Sequence, residues 1–391
     1  MKIYGIMNLF EISKKFKQVN ISKRYITNTH IVPFLESLPS SRFKLKIEGK
    51  SVNNQNIYSI IVGEGKTKIY MWSQMHGNES TTTKAIIDFL AFLNSEDEIA
   101  NSIIKDFTFY IIPILNPDGA KAYTRVNANE VDLNRDSVDL TQPESQLLRK
   151  LFDQFKPDFA FNMHDQRTLF AAGNTNNPAT ISFLAPAFNK ETEINEVRTT
   201  AMQVIAEMFS ELNKEIPNKI GRFDDAFNLN CIGDRFTNLG VPTILFEAGH
   251  YPKDYDREIT REIVFVALLK AVLSIQSKSY LNKSLSEYFN IPENHKLIND
   301  ILLKNVTLIN NENRSIANLG IQYKEELKNE EIIFKATIDT ELIKNHQFGH
   351  LELDATDFEL STNDDICEIL NKMKLDQHKN GVFDVNYLLK Y

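Results

Sequence analysis

Along residues 43–75 apolar side chains alternate with polar ones: Phe43, Leu45 and Ile47, then Ile57 and Ile61, then Ile69 and Met71. The runs are broken at Gly49-Lys50-Ser51 and Gly63-Glu64-Gly65. A period of two puts every second side chain on one face of a sheet, so three consecutive strands are predicted. From Ser80 the period changes. Ala85, Ile86, Phe89, Leu90 and Leu93 recur at three- and four-residue intervals and predict a helix over 80–93. The unbroken apolar run 107–115 predicts a buried strand, closed by Asn116-Pro117-Asp118-Gly119, a turn in which Pro fixes φ and Gly accepts a positive φ. Short buried strands follow at 159–163 and 243–246, with helices at 144–155, 194–212 and 258–275. Strands alternating with helices predict an α/β fold, an αβα sandwich around a mixed, mainly parallel central sheet. Beyond 276 the pattern shifts. A polar stretch at 278–290 leads to short alternating segments such as Ile321-Gln322-Tyr323. A first domain over 1–277 and a small β-rich C-terminal domain over 291–391 are expected.

Composition narrows the possibilities. A chain of 391 residues can bury a large core and a smaller one. Its 52 acidic and 44 basic residues give a net charge of −8 without a basic block, so no nucleic-acid partner is expected. The longest apolar window, 263–275, is cut by Lys270 and is too short to span a bilayer, so no membrane partner is expected either. Glu11, Lys14 and Lys15 interrupt the amino-terminal stretch before it reaches the character of a secretion signal. Cys231 and Cys367 are too few for a disulfide framework and are expected as small buried hydrophobes. A cytoplasmic setting is the expectation.

The chemically active residue types gather at the carboxyl ends of predicted strands, where open α/β sheets collect their ligands. His76 and Glu79 follow the third strand, His164 closes 159–163, and Glu247 closes 243–246. Two imidazoles and a carboxylate can hold one Zn²⁺ and leave a coordination position for water. The competing reading of His164 is a loop histidine bonded to Asp165. Asp132 is either a turn carboxylate or an acceptor for the distal N–H of a liganding imidazole. Arg125 and Arg135 are either solvated charges or planar cations matched to a carboxylate or an oxyanion. Glu247, between Leu245-Phe246 and Ala248-Gly249, sits among apolar residues that raise a carboxyl pKa toward a useful proton shuttle; the alternative is a structural carboxylate paired to an arginine.

His76-Gly77-Asn78-Glu79, Asn116-Pro117-Asp118-Gly119, Arg125-Val126-Asn127-Ala128, Val131-Asp132-Leu133-Asn134-Arg135, His164 and Pro242-Thr243-Ile244-Leu245-Phe246-Glu247, in that order, resemble the zinc metallocarboxypeptidase superfamily, the carboxypeptidase A-like funnelins, in its compact bacterial and cytosolic branch. The resemblance covers residues 40–275. It implies one zinc per chain on His76, Glu79 and His164, with Asp132 behind His76. It further implies Arg125 at the oxyanion, Asn134 and Arg135 on the substrate's terminal carboxylate, and Glu247 as general base and then acid. The activity implied is hydrolysis of a peptide bond next to a free carboxylate by zinc-activated water. Alternatives in the same superfamily are an N-acyl amino acid deacylase of the desuccinylase and aspartoacylase type, which generally lacks the Asn-Pro-Asp-Gly run, and a peptidase of peptidoglycan fragments. The expected partner is therefore a peptide or an acyl amino acid. A catalytically dead binding module is the reading outside enzymology, and the presence of both Glu79 and Glu247 counts against it. Three departures stand out. Residues 165–246 lack the family's mobile tyrosine, leaving Phe223, Tyr251 or Tyr255 as candidate covers. Asp136 stands where Asn is more usual. The stretch from Glu79 to His164 is short compared with digestive carboxypeptidases. Apart from these departures, Asp234 and Arg235 lie where the family's specificity pocket is usually built, and their opposite charges select neither an acidic nor a basic substrate side chain.

Overall fold

A computed structural model describes residues 8–310, 313–338 and 348–361. The readings of the chain before residue 8, and of 311–312, 339–347 and 362–391 with Cys367, lie outside the described residues. Two helices that the pattern does not predict open the chain, α1 (Leu9–Phe16) and α2 (Asn28–Ser37). The three predicted strands follow as β1 (Phe43–Lys50), β2 (Asn56–Val62) and β3 (Thr67–Ser73). Next come α3 (Thr81–Leu93), α4 (Glu98–Asp106), β4 (Phe107–Ile112), α5 (Pro117–Ala122), α6 (Pro143–Phe155) and β5 (Phe159–Asp165). Then follow β6 (Phe170–Ala172), β7 (Ile181–Leu184), α7 (Glu196–Glu215), β8 (Ile220–Arg222), α8 (Ile232–Asn238), β9 (Thr243–Ala248), α9 (Glu258–Ser277) and α10 (Leu285–Phe289).

Eight strands form one sheet in the order β1-β2-β4-β3-β5-β9-β7-β8. The central four, β4, β3, β5 and β9, are mutually parallel. Antiparallel pairings add β1 and β2 on one side and β7 on the other. Period-two alternation splits the side chains between two cores. Ile69, Met71, Phe161, Met163 and Phe246 pack with α3, α7 and α9. Tyr70, Trp72, Ile112 and Ala160 pack with Leu148 and Phe152 of α6 and with Ile232 and Phe236 of α8. The αβα sandwich follows from these two faces. The apolar run 263–275 is the middle of α9, where Ile263, Val264, Phe265, Val266, Ala267, Leu268 and Leu269 are all buried. A helix apolar on every side belongs in a core. Among the described residues no helix is long and apolar enough to cross a membrane.

The chain divides into two compact units, one of residues up to Gln166 with Ala179–Asn294, the other of Arg167–Pro178 with the chain from His295. The first unit runs past the polar stretch because Tyr288 and Ile291 are part of its main core. In the second, β6 pairs with β10 (Asn294–Lys296), and Leu169 O accepts the N–H groups of Leu297 and Ile298 at 3.1 and 3.2 Å. That pairing carries 167–178 out of the first unit. The remaining strands, β11 (Ile298–Asn310), β12 (Asn313–Lys328), β13 (Glu331–Ile338), β14 (Phe348–Asp354) and β15 (Glu359–Ser361), form a sheet in the order β13-β12-β11-β14, with β15 also on β11. Ile301, Leu303, Val306, Leu319, Ile321 and Leu353 make its core.

Candidate active site

After β3 the chain turns through Gln74, whose φ of 50° is left-handed, a conformation uncommon for a residue with a side chain. The Gln74 amide holds that turn. Its Nε2 donates to Ile26 O and Gly77 O, both at 2.8 Å, and its Oε1 accepts from Thr83 Oγ1 at 2.9 Å. After β4, Asn116 caps α5 by accepting the Gly119 N–H at 2.8 Å, with Pro117 in the first helical turn, and its Nδ2 reaches back to Met75 O at 3.1 Å. Gly119 therefore does not serve as a positive-φ turn residue. It lies in a helix, and its hydrogen in place of Cβ admits close neighbours: a Cβ there would meet Asn116 Nδ2 at 2.4 Å and Val126 O at 2.6 Å. A Cβ on Gly77 would lie 1.9 Å from the Gly119 carbonyl carbon. The two motifs carry glycine because their loops cross in backbone contact.

That crossing delivers His76 and Glu79 to the end of β5, where His164 waits. The Nδ1 atoms of His76 and His164 are 3.1 Å apart, and Glu79 bridges them, with Oε1 2.8 Å from His76 Nδ1 and Oε2 2.8 Å from His164 Nδ1. All three side chains are buried. Zinc bonds of about 2.0–2.1 Å in a tetrahedron space ligand atoms by about 3.3 Å, so this donor set, with the same nitrogen of each imidazole turned inward, fits a single zinc ion. His76 Nε2 pairs with Asp132 Oδ1 at 3.0 Å, the outer partner expected of a liganding imidazole. His164 Nε2 is buried with no hydrogen-bond partner among the described residues. Burial would raise the Glu79 carboxyl, but the two imidazoles hold it well below the usual range. Burial would lower His76, yet Glu79 and Asp132 together keep it above its ordinary value. For His164 burial prevails over the pull of Glu79, and its pKa falls.

The register of β5 and β9 sets His164 directly opposite Glu247, so both point from the same sheet face. Burial and then the negative charges of Glu79 and Asp165 push the Glu247 carboxyl well above its usual range. Arg125, half exposed, donates through Nε to Asp132 Oδ2 at 3.0 Å and through Nη1 to Glu79 Oε1 at 3.3 Å. Asp132 also accepts the Asn134 N–H at 2.9 Å, so one carboxylate orders His76, Arg125 and the turn that presents Asn134 and Arg135. Asn134 Oδ1 accepts the Ile232 N–H at 2.9 Å, and the exposed Arg135 donates through Nη1 to Asn134 O at 2.7 Å and Cys231 Sγ at 3.1 Å. Asp165, next to His164, points to the opposite side of the strand and caps α3 through the N–H groups of Thr81 and Thr82 at 2.9 and 3.3 Å.

Residues 32–213 match the zinc carboxypeptidase family. Those residues, just under half of the chain, resemble a zinc carboxypeptidase domain. Probable carboxypeptidase 2 of Trichophyton verrucosum is 26% identical over 189 residues, 47% of this chain and 34% of that protein. The chain thus spans about a third of the length of that curated relative. The metallo-carboxypeptidase from Burkholderia cenocepacia superposes with a TM-score of 0.52 at 18% identity, covering 65% of this chain and 70% of that one. Carboxypeptidase A from Helicoverpa armigera gives 0.52 at 14% identity over 70% and 80% of the two chains. At these identities the likeness is one of fold.

The departures from the zinc carboxypeptidase pattern have local explanations. Asp136 is buried, and one carboxylate oxygen takes the Thr141 N–H and hydroxyl, both at 2.8 Å, while the other takes the Gln142 N–H at 2.9 Å; an Asn there would set its amide nitrogen, which cannot accept, against one of these donor sets. Asp234 is buried, accepts the Asn228 N–H at 2.8 Å and is pushed up to about 7 by burial, whereas Arg235 donates along its own helix to Asn238 at 3.3 Å. Of the three candidate covers, Tyr255 is buried against the His250 ring at 4.7 Å between centroids and Tyr251 packs on the main core. Phe223 lines a polar cavity with Arg222 and Glu293. The Gln74 bond to Ile26 and the capping of α3 by Asp165, named in the sequence only as a partner of His164, escape the sequence reading because they join residues 48 and 84 apart.

Proposed function

We propose that the chain is a zinc metallocarboxypeptidase that hydrolyses the peptide bond next to a free carboxylate. The observation that carries the proposal is the convergence of His76 Nδ1, His164 Nδ1 and the Glu79 carboxylate within 2.8–3.1 Å, with Glu247 in register beside His164. His76, Glu79 and His164 would hold the ion, which when bound supplies a Lewis acid for the scissile carbonyl and for water. Glu247, its carboxyl pushed upward by burial, takes a proton from the attacking water and returns it to the leaving amine nitrogen as the C–N bond breaks. Arg125, held by Asp132 and Glu79, presents a fixed cation to the developing oxyanion. Asn134 and Arg135 receive the substrate's free carboxylate through an amide and a guanidinium. A reducing, cytoplasmic setting completes the reading and rests on the low cysteine content and the unpaired Cys231. The test is Glu247→Gln. Turnover on C-terminally free peptides should fall by roughly a hundredfold or more with stoichiometric zinc retained. Near-normal turnover would move the base elsewhere, and cleavage of N-acyl amino acids in place of peptides would favour the deacylase reading.

A further inference from the structure

α9 begins with two buried arginines one turn apart that point to different places. Arg257 sits at its amino-terminal boundary with a left-handed φ of 55°. The boundary is fixed by Asp254, whose carboxylate accepts the N–H groups of Glu258, Ile259 and Thr260 at 2.8, 2.8 and 3.0 Å and whose carbonyl accepts the Arg257 N–H at 3.1 Å. From there the Arg257 guanidinium reaches the sheet. Nη1 donates to Ala248 O at 2.6 Å and Nη2 to Gln166 O at 2.5 Å, with Asp165 Oδ2 3.7 Å from Nη1. Ala248 directly follows Glu247, Gln166 is two residues after His164, and the Asp165 N–H donates to Glu79 Oε2 at 3.2 Å. The sheet ladder already joins these strand ends through Gln166 N–H to Ala248 O at 2.8 Å. The arginine adds a planar, charged clamp at the same carbonyl, and a bidentate guanidinium fixes direction as well as distance.

We propose that Arg257 is a positioning residue that sets the spacing between the metal ligand His164 and the base Glu247 by tying together the strand ends that carry them. The proposal rests on the carboxypeptidase reading of this site. It acts through the strand ends: the carbonyls of Ala248 and Gln166 and the Asp165 carboxylate lie within one or two residues of His164 and Glu247, and the Asp165 N–H bonds Glu79. Arg261 supplies the internal comparison. It is equally buried, yet its guanidinium holds Asp88 at 2.6 Å through both Nε and Nη2, with Ile21 O and Gln18 O at 2.6 and 3.0 Å, and so ties α9 to α3 and to the amino-terminal segment.

The experiment compares Arg257→Gln, Arg257→Lys and Arg261→Gln in the full chain. It reads melting temperature, zinc affinity by chelator competition, and kcat and KM on a peptide with a free C-terminus. Both glutamine variants should melt lower than the wild type. Arg257→Gln should lose roughly 10- to 100-fold in kcat with KM nearly unchanged and bind zinc roughly tenfold more weakly, the range seen when outer partners of metal ligands are removed. Arg257→Lys, which keeps the charge but not the two-pronged geometry, should fall between, and millimolar guanidinium ion should restore part of the kcat of Arg257→Gln. Arg261→Gln should keep both zinc affinity and kcat. The proposal is overturned if Arg257→Gln behaves as Arg261→Gln does, with a lower melting temperature alone. Should Arg257→Gln not fold, a folded Arg257→Lys with wild-type kcat and zinc affinity overturns it equally. If the wild type cleaves no peptide, the functional reading fails, while the zinc affinities still decide the role of Arg257.

Discussion

Asp132 gathers three parts of the site on one carboxylate, accepting from His76 at 3.0 Å, Arg125 at 3.0 Å and the Asn134 N–H at 2.9 Å. Burial alone would raise this carboxyl; the His76 hydrogen bond and charge and the Arg125 charge hold it far below the usual range. Asp132→Asn removes the charge but keeps an acceptor. Zinc affinity should fall by roughly 10- to 100-fold with little change in melting temperature, and unchanged affinity by chelator competition would separate Asp132 from the metal centre. Asp234 gives a pH test. Its folded pKa of about 7 lies above the unfolded value of about 3.9, so between those values the folded state holds a proton that the unfolded chain has released. Its stabilising contribution is full below pH 4 and is lost as pH rises through 7. Asp234→Asn removes that loss, so its melting temperature relative to the wild type should be higher at pH 8 than at pH 4, by roughly 2–4 °C for each kcal/mol recovered. A difference independent of pH would contradict the burial of an acid at this position.

Among the elements, the crossing of the loops after β3 and β4 is the least tolerant of change. A methyl group on Gly77 would fall 1.9 Å from backbone carbon, where no flexible side chain can give way. Gly77→Ala should cost more than the roughly 1–3 kcal/mol of ordinary overpacking and weaken zinc binding with it, because the same loop carries His76 and Glu79. Gly240→Ala, with nothing within 4 Å of the added carbon but a φ of 89°, should lose about 1 kcal/mol and keep its zinc. Thermal melts with zinc titration check both. The same loops show what the sequence could reveal. Strand β3 is legible from its alternation and β4, β5 and β9 because they are apolar runs, and His76, Glu79, His164 and Glu247 are legible because they stand at the ends of those strands. Elements as short as β7 and β8 offer too few residues for a period of two to show. The bonds that fix the site geometry are invisible for another reason: Gln74 to Ile26, Thr81 to Asp165 and Arg257 to Gln166 span 48, 84 and 91 residues. Only the fold brings such partners together, and no local pattern announces them.

At the scale of the molecule, His76, Glu79, His164 and Glu247 all belong to the first compact unit. A metal that binds only the folded state stabilises that unit by mass action, by about 4 kcal/mol at a thousandfold excess over its dissociation constant. Zinc should therefore raise the melting temperature of the wild type, a chelator should lower it, and the His76→Ala, His164→Ala double variant should respond to neither. An equal zinc shift in the double variant would place the ion elsewhere. The central claim is cleavage next to a free carboxylate, and the most direct measurement is a mass-spectrometric comparison of one peptide as its free acid and as its C-terminal amide. The zinc-loaded protein should release the terminal residue of the free acid at least tens of times faster, since each charge-assisted bond to Arg135 is worth roughly 1.5–3 kcal/mol, and Arg135→Met should erase the difference. Equal cleavage of acid and amide by the wild type, or cuts confined to internal bonds, would contradict the account even with zinc bound at His76, Glu79 and His164.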